Sequence, residues 1–414
     1  MFRLSSEPRI LSYELLLQAL SLKLVACSLS LYFCYLPQHL HIICLNVPYP
    51  VDFGAMYDLF YKLSALQQAG IAIHLHCFTY NRRPQKELEK YCASVQYYPR
   101  RMGIKSISLT LPYIVTSRRN KALTRALLKD NYPILMEGVH CTYLLLDKRF
   151  SHRQLFVRLH NVEYQYYYHL YKNAIALFKK LYYLAESFLL KKYERRIANK
   201  AAVCWTVSYK DAEVYRTVFH CKNVSYLPLF LPPWQVAGRL GNGTYCIYHG
   251  NLEIAENEEA AMWLIKEVFS SLPIPLIVTG KDPTRRLLQA AAKATYVRLI
   301  ANPSSADMDK LIADAHIQVL PSFNATGIKI KLLNALYNGR HCVVNTAAAE
   351  GSGLEALCHV ANKTSDMKRQ INTLFTQPFT QADLDKRKEV LYNHFNNAAG
   401  AQRIRTEIWG DSLD

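Results

Sequence analysis

No C-x-x-C pair occurs among the 11 cysteines of this chain, so neither a zinc ribbon nor a dense disulfide framework can be built from it. The scattered thiols, Cys44, Cys77, Cys204 and Cys342 among them, are expected to be reduced core residues of a cytoplasmic protein. Internal repeats and low-complexity tracts are also missing. Mean hydropathy is only −0.06, which excludes a bundle of membrane spans. Disorder is excluded as well, because half of the 414 residues are hydrophobic and a fifth are charged. That length predicts two or three packed domains.

Acidic residues are scarce in one half of the chain. Residues 1–230 hold 31 Lys/Arg against 14 Asp/Glu, whereas residues 231–414 hold 19 against 18. Almost all of the net charge of +18 therefore belongs to the first half. Such a half is expected to face something anionic, nucleic acid or a membrane surface. No RNA- or DNA-binding module is recognisable, so no nucleic-acid partner is expected. Residues 164–183 carry seven tyrosines, and residues 172–200 carry eight Lys/Arg against Glu186 and Glu194 alone. Interfacial tyrosines beside basic residues suit an anionic membrane surface.

A clean signal peptide is missing too. Leu15–Tyr35 has the length of a membrane helix but is interrupted by Gln18, serines and Lys23. It reads as a hydrophobic anchor or as a leader dispensable for the fold, and the second reading is preferred. The fold is expected to begin at His41.

From there short apolar runs alternate with helix-length segments. Strands are predicted at His41–Val47, Ala72–Phe78, Val95–Tyr98, Ile134–Glu137, Leu155–His160, Val203–Val207 and Val224–Leu227. A helix is expected from Phe53 to Ala69. Residues 228–244 hold three prolines and three glycines and read as a linker. The rhythm resumes at Cys246–His249, Leu276–Thr279, Val297–Ile300, Ile317–Leu320 and Cys342–Asn345, with a helix over Ala255–Ser271. The fold class is therefore α/β: two doubly wound Rossmann-like domains, 41–227 and 245–382, facing across a cleft, with a polar helical tail at 383–414.

Three segments lie where strands end, the place where open α/β sheets bind ligands. Residues 46–63 carry Gly54 ahead of a helix whose free amides could meet a phosphate. Residues 158–171 place His160 at a strand end, followed by Asn161 and Glu163. Residues 321–345 place Gly327, Lys329 and Lys331 at a helix start. Cations there oppose the helix dipole, so a bound diphosphate explains them better than a solvated first turn. Both lysines are expected at a solvent-open cleft.

The stretches PYPVDFGAMYDLFYKLSALQQAGI, LHNVEYQYY, KKYERRIANKAAVCWTVS and TGIKIKLLNALYNGRHCVV together resemble bacterial glycosyltransferases of the GT-B fold. They are most similar to the large retaining family that uses nucleotide-activated sugars, over roughly residues 41–409. The resemblance implies donor diphosphate contacts from Gly54, Gly250, Gly327, Lys329 and Lys331. It implies His160 beside the transferred sugar as catalytic residue, and Asn251 in the first turn of the donor domain. Two positions depart from the family pattern: Thr326 and Asn334 stand where paired glutamates are usual. An amide or a hydroxyl can bond a sugar or ribose hydroxyl but supplies no charge. The usual Arg/Lys pair after the first turn is replaced by the acidic LEIAENEEAA, so Lys281 is expected to assist the other lysines.

No metal and no cofactor beyond the nucleotide-sugar substrate is expected. The implied activity is transfer of a hexosyl unit to a lipid-linked or cell-surface glycan acceptor, as in polysaccharide biosynthesis. The enzyme would work in the cytoplasm, peripherally on the inner face of the plasma membrane. The alternative is a non-catalytic nucleotide-sugar-binding scaffold subunit.

Overall fold

The structure, a computed structural model, describes residues 38–51, 54–174, 176–324 and 326–410. The Leu15–Tyr35 segment lies outside the described residues.

The first domain is a seven-stranded, wholly parallel sheet. Its strands are β1 (Gln38–Cys44), β2 (Ile71–Thr79), β3 (Ser94–Pro99), β4 (Ile134–Glu137), β5 (Leu155–Leu159), β6 (Val203–Thr206) and β7 (Val224–Tyr226). They lie in the order β3-β2-β1-β4-β5-β6-β7. Because successive side chains in a strand point to opposite faces, near-continuous apolar strands feed two cores. Leu40, Ile42, Leu135, Phe156 and Trp205 pack on one face with helix α1 (Gly54–Gln68). Ile43, Met136 and Val157 pack on the other, against Leu190, Tyr193 and Ile197. Two helices run along that second face, α2 (Glu163–Asn173) and α3 (Leu177–Ile197).

The second domain repeats the plan with six strands, β8 (Cys246–Asn251), β9 (Leu276–Lys281), β10 (Val297–Ala301), β11 (Ile317–Val319), β12 (His341–Val344) and β13 (His359–Val360). Their order, β10-β9-β8-β11-β12-β13, reverses direction beside β8 just as the first sheet does beside β1. Such reversals open a crevice at the carboxyl ends of the strands. Helix α4 (Ala255–Trp263) does not run on regularly to Ser271; it passes into a π-helical turn at Leu264–Val268. Helix α5 (Ile330–Asn338) follows the loop after β11.

The tail and the start of the chain differ from expectation. Helix α6 (Gln381–His394) packs on the second domain, where the Arg387 guanidinium donates to the Leu336 and Gly339 carbonyls. Helix α7 (Asn397–Trp409) crosses back to the first domain, burying Ala401, Ile404 and Ile408 in the α1 face of its core. Trp205 donates its indole N–H to Glu407 at 2.6 Å, and Arg403 donates to the Tyr226 carbonyl at 2.7 Å. The last segment is thus core material of the first domain, hidden in sequence because only one residue in three or four faces inward. Residues 38–40 also belong to the fold: β1 starts at Gln38, which accepts a bond from Arg405. Among the described residues, no helix is long and apolar enough to cross a membrane.

Candidate active site

Residues just beyond the strand ends of both sheets line one cavity of about 380 Å³. Leu45, Gly138, His160 and Val207 come from the first domain, and Thr326, Gly327 and Lys329 from the second. An adjoining cavity of about 460 Å³ shares Gly54, Tyr166, Glu256 and Lys329, and adds Asn251, Lys281, Lys331 and Asn334. Gly250 lies in its wall as well. The structure therefore gathers every site residue named from the sequence around one cleft.

The loop before α5 needs its glycine. Gly327 has φ +62°, and a Cβ there would stand 2.5 Å from the Asn161 Oδ1 of the opposite domain. Only glycine takes this left-handed conformation so close to the Asn161 side chain without strain. Gly54 carries no such requirement, since a Cβ would meet Ile330 at an ordinary 3.5 Å.

Both lysines line the cleft as expected, but they are half-buried and their ammonium groups are already partly engaged. The Lys329 ammonium donates to the Thr326 carbonyl at 2.6 Å. Lys331 donates to Tyr248 Oη and Asn257 Oδ1, each at 3.0 Å, with its Nζ 4.6 Å from the centre of the Tyr248 ring. Burial, reinforced by the Lys329 charge, pulls the Lys331 pKa down to about 7. Burial also lowers that of Lys329. An ammonium has three N–H donors, so one on Lys331 remains for a ligand. Beside it, His249 is buried and held neutral, its pKa lowered to about 3 by burial and by Lys331, and its Nε2 has no partner among the described residues. Lys281 is exposed, 3.6 Å from the Asp282 carboxylate.

Both residues at the departing positions are already engaged within the loop and helix. Thr326 Oγ1 donates to Asn324 Oδ1 at 2.9 Å, and Asn334 Oδ1 accepts from the Asn338 side chain at 2.7 Å.

His160 forms part of a buried charge network. Its Nε2 lies 3.0 Å from Glu137 Oε2, whereas its Nδ1 is 3.9 Å from Asp58 Oδ2, beyond hydrogen-bond range. Lys62 donates to Asp58 at 2.9 Å and to Glu137 at 2.7 Å. Arg158 grips Asp58 with two bonds of 2.9 Å and spends its remaining donors on the Thr206, Leu227 and Pro228 carbonyls. Burial opposes ionisation of Asp58, but the Arg158 and Lys62 charges overcome it and hold the carboxyl far below its ordinary range. Asp58, Glu137 and His160 bring one ligand atom each within 4.8 Å of one another, a spacing a metal could use. Lys62 and Arg158 already neutralise that cluster. Both ring nitrogens therefore lie toward buried carboxylates, Nε2 against Glu137 and Nδ1 near Asp58, while the residue itself lines the cavity.

This network went unnoticed in the sequence, as did Glu256. A charged residue inside an apolar run, such as Arg158 in LFVRL, signals a buried partner. Asp58 and Lys62, four apart on the apolar face of α1, supply it. Glu256 gave no comparable signal within an acidic run, yet its carboxylate accepts from Asn324 at 2.8 Å and lines both cavities.

Comparison with known proteins accords with this geometry. Residues 243–377 match the family model described as glycosyl transferases group 1. A Klebsiella pneumoniae protein described as an uncharacterised 44.6 kDa protein in the cps region is 24% identical, over 75% of this chain and 84% of its own length. Among solved structures, the sucrose-phosphate synthase of Thermosynechococcus elongatus superposes with a TM-score of 0.63 at 15% identity, covering 89% of this chain and 98% of its own. Anabaena HepE, solved in complex with UDP and glucose, gives 0.58 at 11% identity, over 88% and 98%. The two-domain fold is thus the one shared with these solved structures, the GT-B fold, and the second domain is similar to the glycosyl transferases group 1.

Proposed function

We propose that this enzyme moves a hexosyl unit from a nucleotide-sugar donor to a lipid-linked or cell-surface glycan acceptor, with retention of configuration and without a metal. The observation that carries the reading is the placement of Lys329 and Lys331 at the start of α5, in a cavity walled by both domains. Two ammonium groups and the free amides of a helix start can stabilise a departing diphosphate where another enzyme would use a metal ion. On the opposite wall, His160 stands beside the transferred sugar. The origin of the Klebsiella relative in a cps region supports a role in polysaccharide synthesis.

Peripheral attachment to the inner membrane face belongs to the same proposal, with a changed physical basis. Tyr164, Tyr166, Tyr167, Tyr171 and Tyr183 are half-buried, and rings of the segment pack on one another. Tyr168 and Tyr182 are exposed, and Leu177, Phe178 and Leu181 of α3 join them at the surface, with Phe178 at 89% exposure, beside Lys179 and Lys180.

A scaffold that binds the donor without transferring its sugar is the second reading, favoured by the uncharged Thr326 and Asn334 in the cleft. Thermal unfolding with UDP, GDP and their sugars, followed by assay of sugar release, separates the two. A ligand at a hundred times its Kd stabilises by about 2.7 kcal/mol. Stabilisation with release supports transfer, and stabilisation without release supports the scaffold. No stabilisation by any of these ligands would overturn both.

A further inference from the structure

We propose a second anion site on the first domain, beyond the carboxyl ends of β3 and β4, built for the phosphate of an anionic amphiphile. It rests on the peripheral membrane attachment proposed above and names residues that would carry it, apart from the donor site. A cavity of about 660 Å³ is lined by five cations, Arg101, Arg119, Lys121, Arg125 and Arg149, and by no acidic side chain. Of these five, Arg149 pairs with Asp147 at 2.6 Å, and the Arg119 charge also acts on that carboxylate, so one acidic group faces five cations. Like charges gathered around one concavity repel one another, and a multivalent anion relieves that repulsion. Arg119 is also pre-oriented, its guanidinium stacked 4.1 Å from the centre of the Tyr143 ring. A planar guanidinium held in this way presents its donors to phosphate oxygens in a fixed fork.

The adjoining loop says what kind of molecule carries the phosphate. Immediately after Arg101, the chain turns Met102, Ile104, Ile107 and Leu109 outward, with Ile104 at 85% and Leu109 at 93% exposure. The loop is held in this posture from within. Arg101 N–H donates to the Ser117 carbonyl at 2.8 Å, Ser106 Oγ to the Arg101 carbonyl at 3.0 Å, and Gly103 N–H to Tyr113 Oη at 3.1 Å. The Tyr113 N–H in turn bonds the Glu186 carboxylate of α3 at 2.9 Å, tying this loop to the helix that exposes Leu177 and Phe178. Aliphatic side chains fixed in water lose the stability that burial would give, and clustered ones mark a surface meant to be covered. Cations beside aliphatics match a phosphate head joined to a hydrocarbon chain.

The same chemistry could come from a free phosphate, so the experiment has two arms. Both use the full chain, as wild type, as the double variant Arg119→Gln/Arg125→Gln and as the double variant Ile104→Ser/Leu109→Ser. Co-sedimentation uses vesicles of neutral phosphatidylcholine, alone or with a fifth of phosphatidic acid; calorimetry uses inorganic phosphate and pyrophosphate. Wild type is expected on the anionic vesicles only, with binding that weakens as salt rises. Each charge removed should cost about fivefold in vesicle affinity. The serine variant should lose vesicles yet bind pyrophosphate as wild type does. Pyrophosphate binding by wild type without any vesicle binding would overturn the lipid assignment. Equal binding of neutral and anionic vesicles, or a glutamine variant indistinguishable from wild type, would overturn the site. Nucleotide-sugar binding, measured on the same variants, should not change, so failure of the donor reading would show separately.

Discussion

Lys331 makes donor binding depend on pH in a calculable way. With its pKa lowered to about 7, roughly nine-tenths of the free protein carries the ammonium at pH 6 and about one-tenth at pH 8. A diphosphate favours the charged form, so above pH 7 binding must recruit a proton. Affinity therefore falls as pH rises, about tenfold between pH 6 and pH 8, or about 1.4 kcal/mol. A nucleotide-sugar is the right probe, because its diphosphate is a diester and does not itself titrate in this range. Calorimetry in two buffers of different ionisation enthalpy would read the proton uptake directly, near one proton at pH 8 and near none at pH 6. Lys331→Arg keeps its charge throughout and should give a flat profile. Glu163, raised to about 8 by burial and by the Glu194 charge, also lines the cleft and would weaken anion binding in the same direction on losing its proton. A slope that persists in Lys331→Arg would assign the effect to such a group and refute the reasoning.

Gly327→Ala would push a methyl into Asn161 across the cleft in a left-handed backbone; turnover should fall about a hundredfold while the melting temperature moves little, and unchanged turnover would remove the close approach from the mechanism. Asp58→Asn would leave Lys62 and Arg158 buried with half their counter-charge and weaken the bond to the Phe230 N–H, now 3.0 Å. Urea unfolding should show a loss of about 3–5 kcal/mol, whereas a loss below 1 kcal/mol would mean that water reaches the network.

Strand interiors were legible because parallel strands covered on both faces must be apolar along their length: Ile134–Glu137 was read to the residue. The two-residue β13 was too short to show any period. The lysines of α5 stood out because charge at a helix start is unfavourable without an anion, but their partners Tyr248 and Asn257 are about 80 residues away and leave no local trace. The same holds for Glu256, which reaches the cleft through Asn324, 68 positions on. Lysine placement was readable where it violated a local rule, and carboxylate placement was not, because an acidic first turn obeys one.

The return of α7 makes the second domain an insert within the first, since the chain leaves after β7 and comes back to complete the same core. The two crossings are buttoned together: Leu231 N–H donates to Asn397 Oδ1 at 3.0 Å, and Asn397 Nδ2 donates to the Leu231 carbonyl at 2.8 Å. On the ribosome, the first domain therefore cannot close its apolar floor around Trp205 until α7 emerges, after the whole second domain has been made. Domains usually fold in the order of synthesis; here that order is inverted, and the second domain can be finished while the first still waits for its last helix.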